Sequence, residues 1–133
     1  MGVIRRFRAD KLIRDKLPGI MRSKGIIVSE RVMEKDEYIK RLKDKLFEEA
    51  SEVSEAITPE EIREELSDLL EVIMCLSGAH DIPFIDIELA RREKKKQKGS
   101  FEERIYNDYI EIDSDNKEID YCLARPDKYP EIK

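Results

Sequence analysis

Thr58-Pro59-Glu60-Glu61 separates two stretches whose apolar residues recur at helical spacing, and this arrangement limits the fold more than any other feature of the 133-residue chain. Upstream, Ile39, Leu42, Leu46, Ala50, Val53 and Ile57 form one stripe, which predicts a helix from about Asp36 to Ile57. Downstream, Ile62, Leu66, Leu69, Leu70, Ile73 and Leu76 form a second, ending near Gly78. Thr58 can cap the second helix, Pro59 suits its first position, and Glu61 completes a capping box. So short a connection favours an antiparallel hairpin. A third helix is predicted after Asp81, with Pro83 in its first turn, running to about Lys98 and stopped by Gly99.

The flanks are less regular. Residues 11–24 read as a short basic helix or turn-rich segment, punctuated at Pro18-Gly19. Ile26-Ile27-Val28 with Arg31-Val32-Met33, and later Arg104 to Ile112, have strand character and are expected to pair. The expected fold is therefore mainly α, an antiparallel hairpin plus a third helix, with a small β element from residues near 26–33 and 104–112. A polar tail, 113–133, holds Pro126 and Pro130 and is expected to wrap the surface.

Composition bounds the function. The length fits one domain, with its helical core at about 36–98. Hydrophobic residues make up 40% and charged residues 43%, with a formal net charge of −5. That balance argues against a protein that coats nucleic-acid polymers. Cys75 and Cys122 show no CxxC spacing and suit a reducing cytosol. No stretch approaches the ~18 apolar residues of a membrane span. The basic start, Met1 to Asp10, has no apolar run behind it, so a cytoplasmic protein without membrane partners is expected.

The hairpin is conspicuously acidic. Glu48-Glu49-Ala50-Ser51-Glu52 lies in its first arm and Glu65-Leu66-Ser67-Asp68 in its second. Acids three residues apart share one helix face. With Glu48 at zero, Glu49 and Glu52 fall at roughly 100° and 40°, and Lys45 near 60°. Packed side by side, the two helices can bring Glu49, Glu52, Glu65 and Asp68 to one point. From Glu48 to Glu71 ten acids stand against Arg63 alone, a net charge of −9. Like charges that close disfavour joint ionisation. Hard divalent cations such as Mg²⁺ compensate them, because they take oxygen ligands. The other reading of these glutamates is a solvated helix face.

The pattern EExxE, twelve intervening residues, then ExxD resembles the MazG-like family of all-α nucleoside triphosphate pyrophosphohydrolases, relatives of the phosphoribosyl-ATP pyrophosphohydrolases. Lys11-Leu12-Ile13-Arg14-Asp15-Lys16-Leu17-Pro18, Lys45-Leu46 and Lys98-Gly99-Ser100-Phe101 match as well. The resemblance implies hydrolysis between the α- and β-phosphates of a nucleotide with Mg²⁺ (Mn²⁺ as substitute), releasing a monophosphate and pyrophosphate. It maps the metal ligands onto Glu49, Glu52, Glu65 and Asp68, and gives Glu48 a water or a second ion. The family commonly has Arg-Gly-Gly-Phe where this chain has Lys98-Gly99-Ser100-Phe101, and a lysine lacks the arginine fork.

Such chemistry needs a proton acceptor and cations for the phosphates. Glu48 or Glu52 could take the proton as water attacks phosphorus. From Arg91 to Lys98 six basic residues accompany one acid, a net of +5. A helix C-terminus attracts such residues for dipole reasons too. Lys94 and Lys98 are the preferred phosphate contacts there, with Lys45, Arg14 and Lys16 as further candidates. There is no Walker motif, and His80 is the only histidine, so P-loop, zinc and triad chemistry lack their residues. Phosphoribosyl-ATP is the alternative substrate, and a catalytically silent helical interaction module is the alternative of another kind. The apolar stripes exceed what one short chain can bury, so self-association is expected, and the resemblance implies a homodimer or homotetramer.

Overall fold

A computed structural model describes all 133 residues. The chain is helical throughout its regular parts: α1 (Leu17–Ser23), α2 (Lys35–Glu55), α3 (Pro59–Ala79), α4 (Phe84–Lys98) and α5 (Ile119–Leu123). It forms two compact units, residues 1–94 and 95–133.

The hairpin dominates the first unit. α2 and α3 are the helices that pack along one another. Lys35 pairs with Asp81 at 3.8 Å at the open end, while three residues join the helices at the other, so they run antiparallel. Local chemistry explains the turn. Thr58 Oγ1 accepts the Glu61 N–H at 3.1 Å, and Glu61 Oε2 accepts the Ile57 N–H at 3.1 Å. The reciprocal box expected from the sequence thus forms, with its return bond one residue before the cap. At the far end of α3, Ser77 is buried and its hydroxyl donates to the Ile82 carbonyl, while Ile82 N–H returns to Ser77 O at 3.0 Å. Asp81 adopts a left-handed conformation there (φ 56°), which aspartate tolerates better than most residues.

The dry core is small. Leu42 on α2 and Val72 on α3 are its fully buried apolar residues. Leu46, Val53, Leu69, Cys75 and Leu76 are half-buried along the same helix pair. The second apolar row of α3 does not join this core. Ile62, Leu66, Leu70 and Met74, four residues apart, lie on the exposed side, at 36–48% exposure. An apolar arc this wide offers two faces for packing, and α2 covers the one that carries Glu65, Asp68 and Val72.

α1 begins with Pro18 in its first turn and ends where Gly25 turns left-handed (φ 82°), with Gly25 N–H on Arg22 O and Ile26 N–H on Met21 O. α4 is preceded by Pro83 and ends at Gly99 (φ 80°), as its sequence anticipates. It buries none of its residues, and Ile85 and Leu89 stay exposed.

The expected β element does not form. Residues 26–33 and 104–112 contain no strand and no ladder of backbone hydrogen bonds, and Ile27, Val32 and Ile105 are exposed. β-branched composition alone cannot hold a two-stranded ribbon, which needs an apolar face to cover. Arg22 instead ties residues 28–30 to α1 through Val28 O (3.2 Å) and Glu30 (2.6 Å). In the second unit, Asn116 Oδ1 accepts the Glu118 N–H (2.9 Å) just before α5. The Arg125 guanidinium lies 3.8 Å from the Tyr121 ring centroid, and Tyr121 and Tyr129 meet at 5.9 Å. No helix is long and apolar enough to cross a membrane.

The Thr58 cap holds the turn on which the hairpin register depends. Thr58→Ala should lower stability by about 1 kcal/mol, read as an earlier urea midpoint with an unchanged slope.

Candidate metal centre

Helical period and antiparallel packing together build the site. Glu49 and Glu52 sit one turn apart on the α2 face that meets α3, and Glu65 and Asp68 answer them from α3. Carboxylate oxygens of Glu49, Glu65 and Asp68 all lie within 4.8 Å of one another. Glu52 completes the group, with its carboxylate placed against both Glu49 and Glu65.

These acids are not solvated in the ordinary way. Glu49 is 7% exposed, deeper than any other charged residue. One oxygen of Glu49 (Oε2) and one of Glu65 (Oε2) are buried without a hydrogen-bond partner. Burial, then the neighbouring Glu52, push the Glu49 carboxyl above its ordinary value, against the pull of Lys45. Glu65 is pushed up by Glu52 first, then by burial and by Asp68 and Glu49. Orphaned buried oxygens beside like charges carry an energetic penalty that a bound cation removes. Around an octahedral ion with bonds of about 2.1 Å, ligand oxygens lie roughly 2.9 to 4.2 Å apart. The observed spread needs only a small contraction to match, so the donor set fits a hard divalent cation.

The cations nearby differ in kind. Lys45, whose side chain is 18% exposed, reaches Glu48 Oε2 (3.2 Å) and Glu49 Oε1 (3.6 Å) from one turn earlier on α2. Arg14 crosses from the segment before α1 and donates from Nη2 to Asp68 Oδ1 at 2.7 Å. Lys11 lies 3.6 Å from Glu48 Oε1. Glu48 therefore occupies the outer edge of the cluster, held between two lysines. The sequence assigns Lys11 no site role of its own. Its signal is its place in the same Lys-x-x-Arg stretch as Arg14, but no helical period links that stretch to the acids. Lys16, at the N-cap of α1, is exposed and away from these contacts.

The basic run on α4 is not gathered into the hairpin. Lys94 is exposed on a helix that buries no residue, and Lys98, also exposed, is its last residue. Arg91 and Arg92 are engaged on their own helix: Glu88 Oε1 takes Arg91 at 2.6 Å and Arg92 at 3.0 Å. That clamp, Arg91 above all, draws the Glu88 carboxyl down to about 2. A further contact joins the helices: burial raises the Tyr38 hydroxyl above its usual range, next to Cys75 and Asp15. Both cysteines are free and half-buried.

An antiparallel helical hairpin thus brings carboxylates together from both of its arms. Residues 37–98 match the MazG nucleotide pyrophosphohydrolase domain. The matched segment runs from the first turn of α2 through α3 to the end of α4 and contains all four converging acids. No curated protein and no solved structure matches the chain.

The raised carboxyls fix the sign of a pH effect. Each binds its proton more tightly in the folded protein, so its contribution to stability is full below the ordinary value of 4.5 and is lost as pH rises through the raised folded value. Thermal melts in chelator should therefore show stability from these groups falling above that range. Glu65→Gln should flatten the fall, and a divalent cation at neutral pH should raise the wild-type midpoint more than that of the variant.

Proposed function

We propose that this protein hydrolyses a nucleoside triphosphate to its monophosphate and pyrophosphate with Mg²⁺, acting on surplus or non-standard nucleotides. The observation that carries the proposal is the pair of buried, unpartnered oxygens on Glu49 and Glu65, residues whose carboxylates each bring an oxygen within 4.8 Å of the other and of Asp68. The match of residues 37–98 to a nucleotide pyrophosphohydrolase domain supports the same reaction.

Glu49, Glu65 and Asp68 would hold the ion, with Glu52 joining them. Mg²⁺, when bound, supplies charge neutralisation and Lewis acidity at the phosphates. The remaining work falls to the chain's own groups. Glu52 lies inside the cluster and is placed to take the proton of water as the water oxygen attacks phosphorus and pyrophosphate leaves. Glu48, held between Lys45 and Lys11 at the edge, suits orientation of that water. Lys45 neutralises the acids from a nearly dry position. Lys94 and Lys98 are candidate phosphate contacts whose helix lies outside the α2–α3 packing.

The exposed row Ile62, Leu66, Leu70 and Met74 supports a homodimer or homotetramer, since a second copy could bury it. Free cysteines agree with a reducing, cytoplasmic setting.

Pyrophosphate release from a panel of triphosphates, with phosphoribosyl-ATP included, tests the reaction and chooses the substrate. Glu49→Gln and Asp68→Asn should each fold and lose at least about 100-fold in turnover, since even residues that merely support a metal ligand are worth about 10- to 100-fold. Full turnover in either variant removes the ligand assignment, and an inactive wild type across the panel favours a silent helical module. Sedimentation should show an oligomer that Leu66→Glu with Leu70→Glu converts to monomer.

A further inference from the structure

Among the charges around the carboxylate cluster, Arg14 occupies an unusual position. It lies before residues 37–98, yet reaches across 54 residues of sequence to one of the converging acids. Its backbone is anchored: Arg14 O accepts the Leu17 N–H at 3.0 Å, Leu12 and Ile13 are half-buried, and Pro18 is buried. Its tip is not. The side chain is 62% exposed and touches Asp68 through one nitrogen only, rather than through a two-pronged fork.

That combination describes an exchangeable cation. An exposed, single-pronged ion pair contributes little to stability and is readily broken. Lys45 differs, because it is nearly buried and rises from the same helix as its partners. A divalent ion held by Asp68 would repel a guanidinium resting on the same carboxylate. The anchored backbone keeps the released tip beside the cluster, where substrate phosphates would then lie, and a guanidinium binds phosphate oxygens through paired donors.

We propose that Arg14 is a cation placeholder: it neutralises Asp68 in the metal-free protein and moves onto a substrate phosphate when the metal takes its place. The proposal rests on the reading of the cluster as a metal centre. It makes Arg14 an antagonist of metal alone and an ally of metal with phosphate. A purely structural salt bridge would not produce those opposite effects.

Calorimetry with Mn²⁺ alone, then with inorganic pyrophosphate at saturating Mn²⁺, tests both halves on the full chain. Arg14→Ala should bind Mn²⁺ about two- to fivefold more tightly than wild type, the size of an exposed ion pair. It should bind pyrophosphate about tenfold or more weakly, as expected for loss of a charged hydrogen bond, and raise KM for a triphosphate more than it lowers kcat. Arg14→Lys, which keeps the charge without the fork, should recover Mn²⁺ antagonism but only part of the pyrophosphate affinity. Circular dichroism confirms that each variant folds. Wild-type Mn²⁺ binding with both affinities unchanged in Arg14→Ala overturns the placeholder and leaves the metal centre standing, as does a change of both in the same direction. A wild type that takes up no Mn²⁺ overturns the metal centre and the placeholder with it.

Discussion

Like-charge repulsion inside a helical interface is the constraint on which the rest of the structure depends. Glu49, Glu52, Glu65 and Asp68 meet between α2 and α3, where ordinary hairpins place leucine and alanine. The interface survives this for reasons visible in its surroundings. Leu42 and Val72 seal it on the open-end side of the acids, toward Lys35 and Asp81, and the capped turn closes it at the other. Lys45, Arg14 and Lys11 bring positive charge to the acid edge. Two oxygens still have no partner. A helix pair selected for stability alone would not leave them so, because an unsatisfied buried acceptor costs more than an apolar replacement.

Much of this was legible in the sequence, wherever the relevant physics is local. The Thr58-Pro59-Glu60-Glu61 turn, the Gly99 stop and the helical phase of the acids depend on neighbours within four residues, and each took its expected place. The convergence of Glu49 with Glu65 follows from phase plus a short turn, since both lie eight residues from Ile57. Strand pairing could not be read this way. Ile26-Ile27-Val28 and Arg104–Ile112 have suitable side chains, but a ribbon forms only if something covers its face, and nothing in the local sequence reports that. α5 is not legible in the sequence for the converse reason: five residues in a polar tail carry almost no period, and its start depends on the Asn116 turn.

Long-range placement was the other blind spot. Arg14 and Lys11 reach the acids from an irregular segment whose path no periodicity describes. The orientation of α3 was ambiguous too. Leu69, Val72 and Leu76 lie on one side of a broad apolar arc and Ile62, Leu66, Leu70 and Met74 on the other. Either could have met α2. In the structure the acid-bearing side turns inward and takes Val72 with it, while Leu42 is buried on α2.

That choice of face links the two unusual features of the hairpin. With the acids turned inward, the second apolar row is left facing out, and Leu66 stands next in sequence to Glu65 on the same helix. Repulsion among the acids tends to push α2 and α3 apart, and the single chain offers only a small dry core to resist it. Burying Ile62, Leu66, Leu70 and Met74 against a second copy would press α3 from behind and restrict that opening. At roughly 25 cal/mol per Å² of apolar surface removed from water, such a contact would oppose that repulsion. Metal binding and self-association would then favour the same closed hairpin. Each would strengthen the other through it, without any contact between ion and interface.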